Sequence, residues 1–196
     1  IQDHDVETGA SMFHVKLNLE RSSTDAMIAI AKKLKPSRAM LVPEGRQEFT
    51  TEGGLDVAGQ LERLKDVVKE LKAAGMGVSA FIDAVAKQIE ACSAAGFDFC
   101  EIHTGPYAEA FYEHDGDLQH PEVQTELEKV TDGGKRIVDA KMQLNAGHGL
   151  NYLNVRAIAS LPNLRELHIG HAIVSRAIFV GMREAVREMK QMICRR

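Results

Sequence analysis

A chain of 196 residues with 24 Lys and Arg against 28 Asp and Glu carries a formal net charge of −4, so it lacks the basic field that holds a nucleic-acid backbone. Its 44% hydrophobic and 27% charged residues are those of a globular protein with one sizeable core. No apolar run approaches the roughly 20 residues that span a bilayer.

The first residues, Ile1 to Ser11, are polar and carry no signal-peptide pattern; a first residue other than Met points to sequence upstream. Met12 to Glu20 alternates strictly, with Phe13, Val15, Leu17 and Leu19 on one side, and predicts a strand. Ser23 or Thr24 then caps a helix over Ala26 to Leu34, which Pro36 ends. A strand follows at Ala39 to Pro43, then a long polar loop from Glu44 to Gly59. Leu61, Leu64, Val67, Val68 and Leu71 give a helical apolar face from Gln60 to Ala74, stopped by Gly75.

Gly77 to Asp83 is the third predicted strand, and a helix runs from it to Ala95. Phe97 to His103 is the fourth strand. Pro106 to Pro121 reads as a loop, and a helix follows from about Glu122 to Ala140. Met142 to Ala146 is a strand, Val155 to Ser160 a short helix, Glu166 to Ile169 the last strand, and Ala177 to Ile193 one long amphipathic helix. The cysteines, Cys92, Cys100 and Cys194, form no C-x-x-C pair, and their odd number points to reduced thiols.

Regular alternation of strand and helix argues for a parallel sheet covered by helices. No strand is followed by G-x-G-x-x-G, which weakens a dinucleotide-binding fold. The size per unit suits a (β/α)8 barrel lacking two units, as one domain over residues 1–196.

Polar residues gather where the apolar strands stop: Glu20, Glu44, Asp83, Glu101 with His103, His148 and His171. In a barrel those ends share one face, and that face carries the active site. Glu20 and Glu101 are candidate acid–base carboxylates, or members of structural ion pairs. His148, between Gly147 and Gly149, is a candidate proton donor or a satisfied loop histidine. The Gly147–Gly149 and Gly170–His171 turns have the character of phosphate-gripping loops or of plain tight turns. The Gly53-Gly54 pair hinges a lid or belongs to a surface loop. Lys16 is a Schiff-base candidate or an ion-pair partner. No H-E-x-x-H or EF-hand pattern occurs; His168 and His171 straddle a strand end, and His4, His14, His114 and His120 read as surface or packing residues. A metal site is therefore the less favoured reading, and no residue is assigned to one.

Four strings, in order, carry a resemblance: Leu41 to Gly59 (LVPEGRQEFTTEGGLDVAG), Glu101 to Gly105 (EIHTG), Asn145 to Leu150 (NAGHGL) and Ile169 to Ile173 (IGHAI). They resemble the ends of the fourth, sixth, seventh and eighth strands of the pyridoxine 5'-phosphate synthases. The resemblance implies a (β/α)8 barrel and an octamer in the cytoplasm, using no cofactor, binding small phosphorylated substrates and touching neither nucleic acid nor membrane. It implies that 1-deoxy-D-xylulose 5-phosphate is joined to 3-amino-2-oxopropyl phosphate. By this match Glu20 is the proton acceptor, Glu101 stabilises the transition state and His148 is the proton donor. Thr50 would contact the deoxyxylulose phosphate, and Gly149, Gly170 and His171 the aminoketone phosphate. Two departures are expected: a longer loop at Pro106 to Pro121, and the family's first two strands upstream of Ile1, without which the chain should be inactive and unstable. Two rivals stay open, a metal-dependent sugar-phosphate isomerase or aldolase and a non-catalytic phosphometabolite-binding subunit.

Overall fold

The computed structural model describes residues 3–12, 15–43 and 53–194. They fall into two compact units that meet inside one strand, the first ending at Cys100 and the second starting at Glu101.

In the first unit, α1 (Asp3–Met12) precedes β1 (Asn18–Arg21), α2 (Asp25–Leu34), β2 (Arg38–Leu41), α3 (Leu61–Ala73), β3 (Gly77–Ile82), α4 (Ala86–Ala95) and the start of β4 (Phe99–His103). The strands are parallel and stand in chain order, Asn18 opposite Arg38 and Arg38 opposite Gly77. Asp98 brings β4 alongside β3: its N–H donates to Val78 O at 2.9 Å, and its Oδ2 accepts from Val78 N at 3.0 Å. β2 is buried at every residue and β3 at all but Gly77, as expected of parallel strands covered on both faces. Their neighbours in the core come from Leu64, Val67, Val68 and Leu71 of α3 and Ile89 and Cys92 of α4, the apolar stripes visible in the sequence.

Two sequence expectations change here. Residues 3–12, read as a polar lead-in, are helical, and the strand expected from Met12 shrinks to Asn18–Arg21. Val15 is 75% exposed and Lys16 is exposed as well, so the apolar alternation there has no core to face. The glycine pair also differs from a free hinge. A Cβ on Gly54 would stand 2.4 Å from both Asp83 N and Ile82 Cα, and Leu55 N–H donates to Phe81 O at 2.7 Å. This end of the long loop is fastened to the end of β3, and only glycine allows the approach.

The second unit continues β4 through α5 (Gly105–Glu113), α6 (Pro121–Asp139), β5 (Gln143–Gly147), α7 (Val155–Ala159), β6 (Glu166–His168), α8 (His171–Val180) and α9 (Met182–Cys194). β5 and β6 are parallel, with Gly147 opposite His168. β4 delivers Thr104 beside β5, where its N–H donates to Gly147 O at 2.8 Å. Ile102, Leu144 and Ala146 of the strands are buried, as are Val130 and Ile137 of α6 and Ile158 of α7. Gly134 lets α6 come close, since a Cβ there would lie 2.9 Å from Leu144 Cδ2.

The expected loop at Pro106 to Pro121 holds a helix, α5. Pro106 sits in its first turn, where a missing N–H costs nothing, and Tyr107, Ala110 and Phe111 bury one face. The single closing helix is two. Gly181, at φ 81° and ψ 152°, takes a backbone conformation that favours glycine and separates α8 from α9. Among the described residues no helix is long and apolar enough to cross a membrane.

Candidate active site

The polar centre of the second unit is built from the carboxyl ends of β4, β5 and β6. β4 supplies Glu101, fully buried, and His103; β5 leads into His148; β6 ends on His168. His168 Nδ1–H donates to Glu101 Oε2 in a short hydrogen bond. His168 Nε2 stands 3.8 Å from Glu166 Oε2, so this imidazole lies between two carboxylates. His148 Nδ1 is 4.0 Å from Glu101 Oε1, beyond hydrogen-bond reach but near enough to act as a charge. The His103 and His148 rings meet edge to face, their centroids 5.5 Å apart.

Burial is the largest single influence on the Glu101 carboxyl and pushes its pKa up. His148 and His168 act the other way and together outweigh it, so the pKa lies below the ordinary carboxylate value. Glu101 is therefore an ionised carboxylate in a dry place, held there by imidazoles. Its Oε1 and the Asn145 Nδ2 make no hydrogen bond among the described residues. Buried polar atoms of this kind are the positions a polar ligand would satisfy.

Glycines make the crowding possible. A Cβ on Gly147 would fall 2.2 Å from Glu101 Oε1 and 2.9 Å from His168 O, and one on Gly105 would fall 2.3 Å from His103 Nε2. His148 itself has φ 81°, and Gly149 follows at φ 70°. A left-handed histidine is uncommon and costs energy, so neighbours must hold it. Thr104 Oγ1 lies 2.6 Å from both Gly147 O and His148 O and donates to them. Asn154 Nδ2–H donates to Gly149 O at 3.1 Å, and Tyr107 O–H donates to Asn154 O at 2.9 Å.

The structure thus brings together Glu101 and His148, with Gly149 on the same turn. Gly170 and His171 start α8, both exposed. Because Gly147 pairs with His168 across parallel strands, the Gly147–Gly149 and Gly170–His171 turns leave the same edge of the sheet. Glu20 lies in the first unit, on β1 opposite Met40, with its side chain exposed. Thr50 and Glu44 lie outside the described residues. Three members stand out less in the sequence. His168 reads there only as a neighbour of His171, and His103 marks a strand end without a role. Thr104 belongs to the EIHTG string, although a Thr just past a strand and just before a helix signals a backbone-bracing hydroxyl.

The fold and the site define an α/β protein of parallel strands whose carboxyl ends carry a buried carboxylate–histidine cluster. The chain belongs to the family described as pyridoxal phosphate biosynthesis protein PdxJ, whose pattern matches residues 1–195. It is 54% identical to a pyridoxine 5'-phosphate synthase from Azoarcus sp. (strain BH72), over 98% of this chain and 78% of that protein. It is 56% identical to the protein of the same name from Dechloromonas aromatica (strain RCB), over 97% of this chain and 76% of that one. Among solved structures, an aldolase from TTHB1, described as 4-hydroxy-2-oxoglutarate aldolase/2-deydro-3-deoxyphosphogluconate aldolase, superposes with a TM-score of 0.61 at 14% identity. That match covers 98% of this chain and 77% of the aldolase, and it is a likeness of fold alone.

Proposed function

We propose that the protein to which this sequence belongs carries out the pyridoxine 5'-phosphate synthase reaction, joining 1-deoxy-D-xylulose 5-phosphate to 3-amino-2-oxopropyl phosphate with release of phosphate and water. The observation that carries the reading is the buried Glu101, bonded to His168 and facing His148, in a member of this family. Each step of such a ring closure moves a proton on or off carbon, nitrogen or oxygen. Amine and ketone condense to an imine, phosphate and water leave, and an aldol-type closure forms the ring. A carboxylate flanked by imidazoles near neutral pH suits that sequence.

In this proposal His148 donates protons, Glu101 stabilises the cationic transition states, and Glu20 accepts protons. Gly149, Gly170 and His171 hold the aminoketone phosphate. The support for that grip is the pair of turns on one sheet edge, one of them opening α8, whose first N–H groups have no partner within the helix. Thr50 contacts the other phosphate. The parallel units are those of a (β/α)8 barrel, a single domain, and the protein works as a homo-oligomer, an octamer, in the cytoplasm.

The test is turnover by the protein expressed from its complete gene. Mixed with the two phosphorylated substrates, it should yield pyridoxine 5'-phosphate, read by mass spectrometry. A folded protein that binds both substrates yet forms no product would overturn the proposal in favour of a binding subunit.

A further inference from the structure

A second cluster of ligating side chains lies between α5 and α6, on the segment the sequence reading treated as a loop, with His114 and His120 as surface residues. His114 follows the last turn of α5. Asp115 (φ 51°) and Gly116 (φ 79°) then reverse the chain with two successive left-handed residues. Gly116 packs under the Phe111 ring, where a Cβ would stand 3.2 Å from Cζ. Asp117 Oδ1 accepts from Gln119 N–H at 2.8 Å, and Asp117 O accepts from His120 N–H at 3.1 Å. The turn is thus fixed at both ends, and it returns His120 over His114.

The two imidazoles stack, centroids 3.4 Å apart and planes 18° apart. Glu122, in the first turn of α6, reaches back so that its Oε2 lies 2.7 Å from His114 Nε2. One ligating atom from each of the three residues falls within 4.8 Å of the others. Ligands on a tetrahedral zinc ion, bonded at about 2.0–2.2 Å, stand about 3.3 Å apart, so the set closes when the two part-exposed rings turn out of their stack and aim their in-plane lone pairs at one point.

We propose that His114, His120 and Glu122 form a site for a divalent late transition-metal ion, zinc being the best match, that clips the end of α5 to the start of α6. Two imidazoles and one carboxylate are ligands for zinc, copper or nickel rather than for magnesium or calcium. Water completes the coordination, since all three residues reach solvent. His120 is also the N-cap of α6, accepting from Glu122 N–H at 3.4 Å through Nδ1. That bond is long, and the ion replaces what it contributes by joining the same two residues directly. The site is separate from Glu101 and its histidines, and the synthase reading neither needs it nor falls with it.

The test is a titration of the whole chain with zinc chloride against a chromophoric chelator, repeated with cobalt(II) for its visible ligand-field bands. Wild type should take up an equivalent that weakens about tenfold or more in His114→Gln and in His120→Asn. Asn preserves an N-cap acceptor, so the second variant keeps the start of α6 while losing the imidazole. Zinc should raise the melting temperature of wild type more than that of either variant. Equal affinity and stoichiometry in all three proteins, or no uptake by wild type, would overturn the site.

Discussion

Glu101 concentrates the chemistry of the second unit in one side chain. It is buried among groups that either hydrogen-bond it or face it with charge, and its neighbours include a glycine that leaves no room for a methyl group. Replacing it with Gln keeps the shape and removes the anion. Turnover should fall by about 10²–10⁴, the range for loss of a positioned acid–base group. Stability should fall too, toward the low end of about 3–5 kcal/mol, because both histidines left behind are part-exposed and water screens them. The pH dependence has a fixed sign. A carboxylate whose folded pKa is depressed stabilises the protein above its unfolded value, about 4.3 for Glu, and that contribution is lost as pH falls through the folded value. Urea unfolding followed from pH 7 into acid should therefore show a steeper loss in wild type than in Glu101→Gln. Parallel curves would mean that Glu101 is not ionised in the native state. The sequence marked this residue by its place near the carboxyl end of an apolar strand, but its partner His168, 67 positions away, was not legible. Nothing local in a sequence reports which histidine a curled backbone turns toward a given carboxylate.

Elements with one strong local signal were legible from end to end. α3 and β3 follow their apolar periods to within a residue or two, because burial in a parallel sheet leaves no competing arrangement. Elements whose signal depends on context were not. Pro106 reads as a breaker unless one knows that it opens α5, and Gly181 is one glycine in an otherwise continuous amphipathic pattern. Missing α5 hid the role of Thr104, which stands between β4 and that helix and ties both to the turn after β5. Its hydroxyl has one proton for two carbonyls at 2.6 Å, so the bond is shared or alternates between them. Thr104→Val keeps the volume and removes the hydroxyl donor from both carbonyls, leaving Gly147 O the backbone N–H of residue 104. A loss of about 1–3 kcal/mol on urea unfolding is expected. The left-handed backbone of His148 should also relax, so kcat should drop more than KM rises. A variant as stable and as active as wild type would show that the turn is held without Thr104.

For the molecule as a whole, the apolar surface that remains exposed is as informative as the core. Scattered exposed apolar residues need no explanation, but clustered ones on one helix do. α8 buries none of its residues fully, and Val174, Ile178 and Phe179 are 56%, 80% and 82% exposed; Met182, at the start of α9, adds 53%. Their spacing of four and one places Val174 and Ile178 on one stripe of the helix with Phe179 at its flank. The sequence shows Ile178 and Phe179 as part of one amphipathic helix from Ala177 to Ile193, whereas α8 ends before Gly181 and leaves both side chains exposed. α9, by contrast, does bury Ala185 and Met189. The homo-oligomer proposed above would give α8 an occupant of matching chemistry, the same surface on a second copy, as a two-fold interface requires. Light scattering after size exclusion should then report a mass above that of a 21.6 kDa monomer, and the double substitution Ile178→Ser with Phe179→Ser should lower it. Both side chains are already exposed within the chain, so the substitutions leave the monomer's own core intact and the change in mass isolates association. An unchanged mass would leave α8 outside any contact between copies.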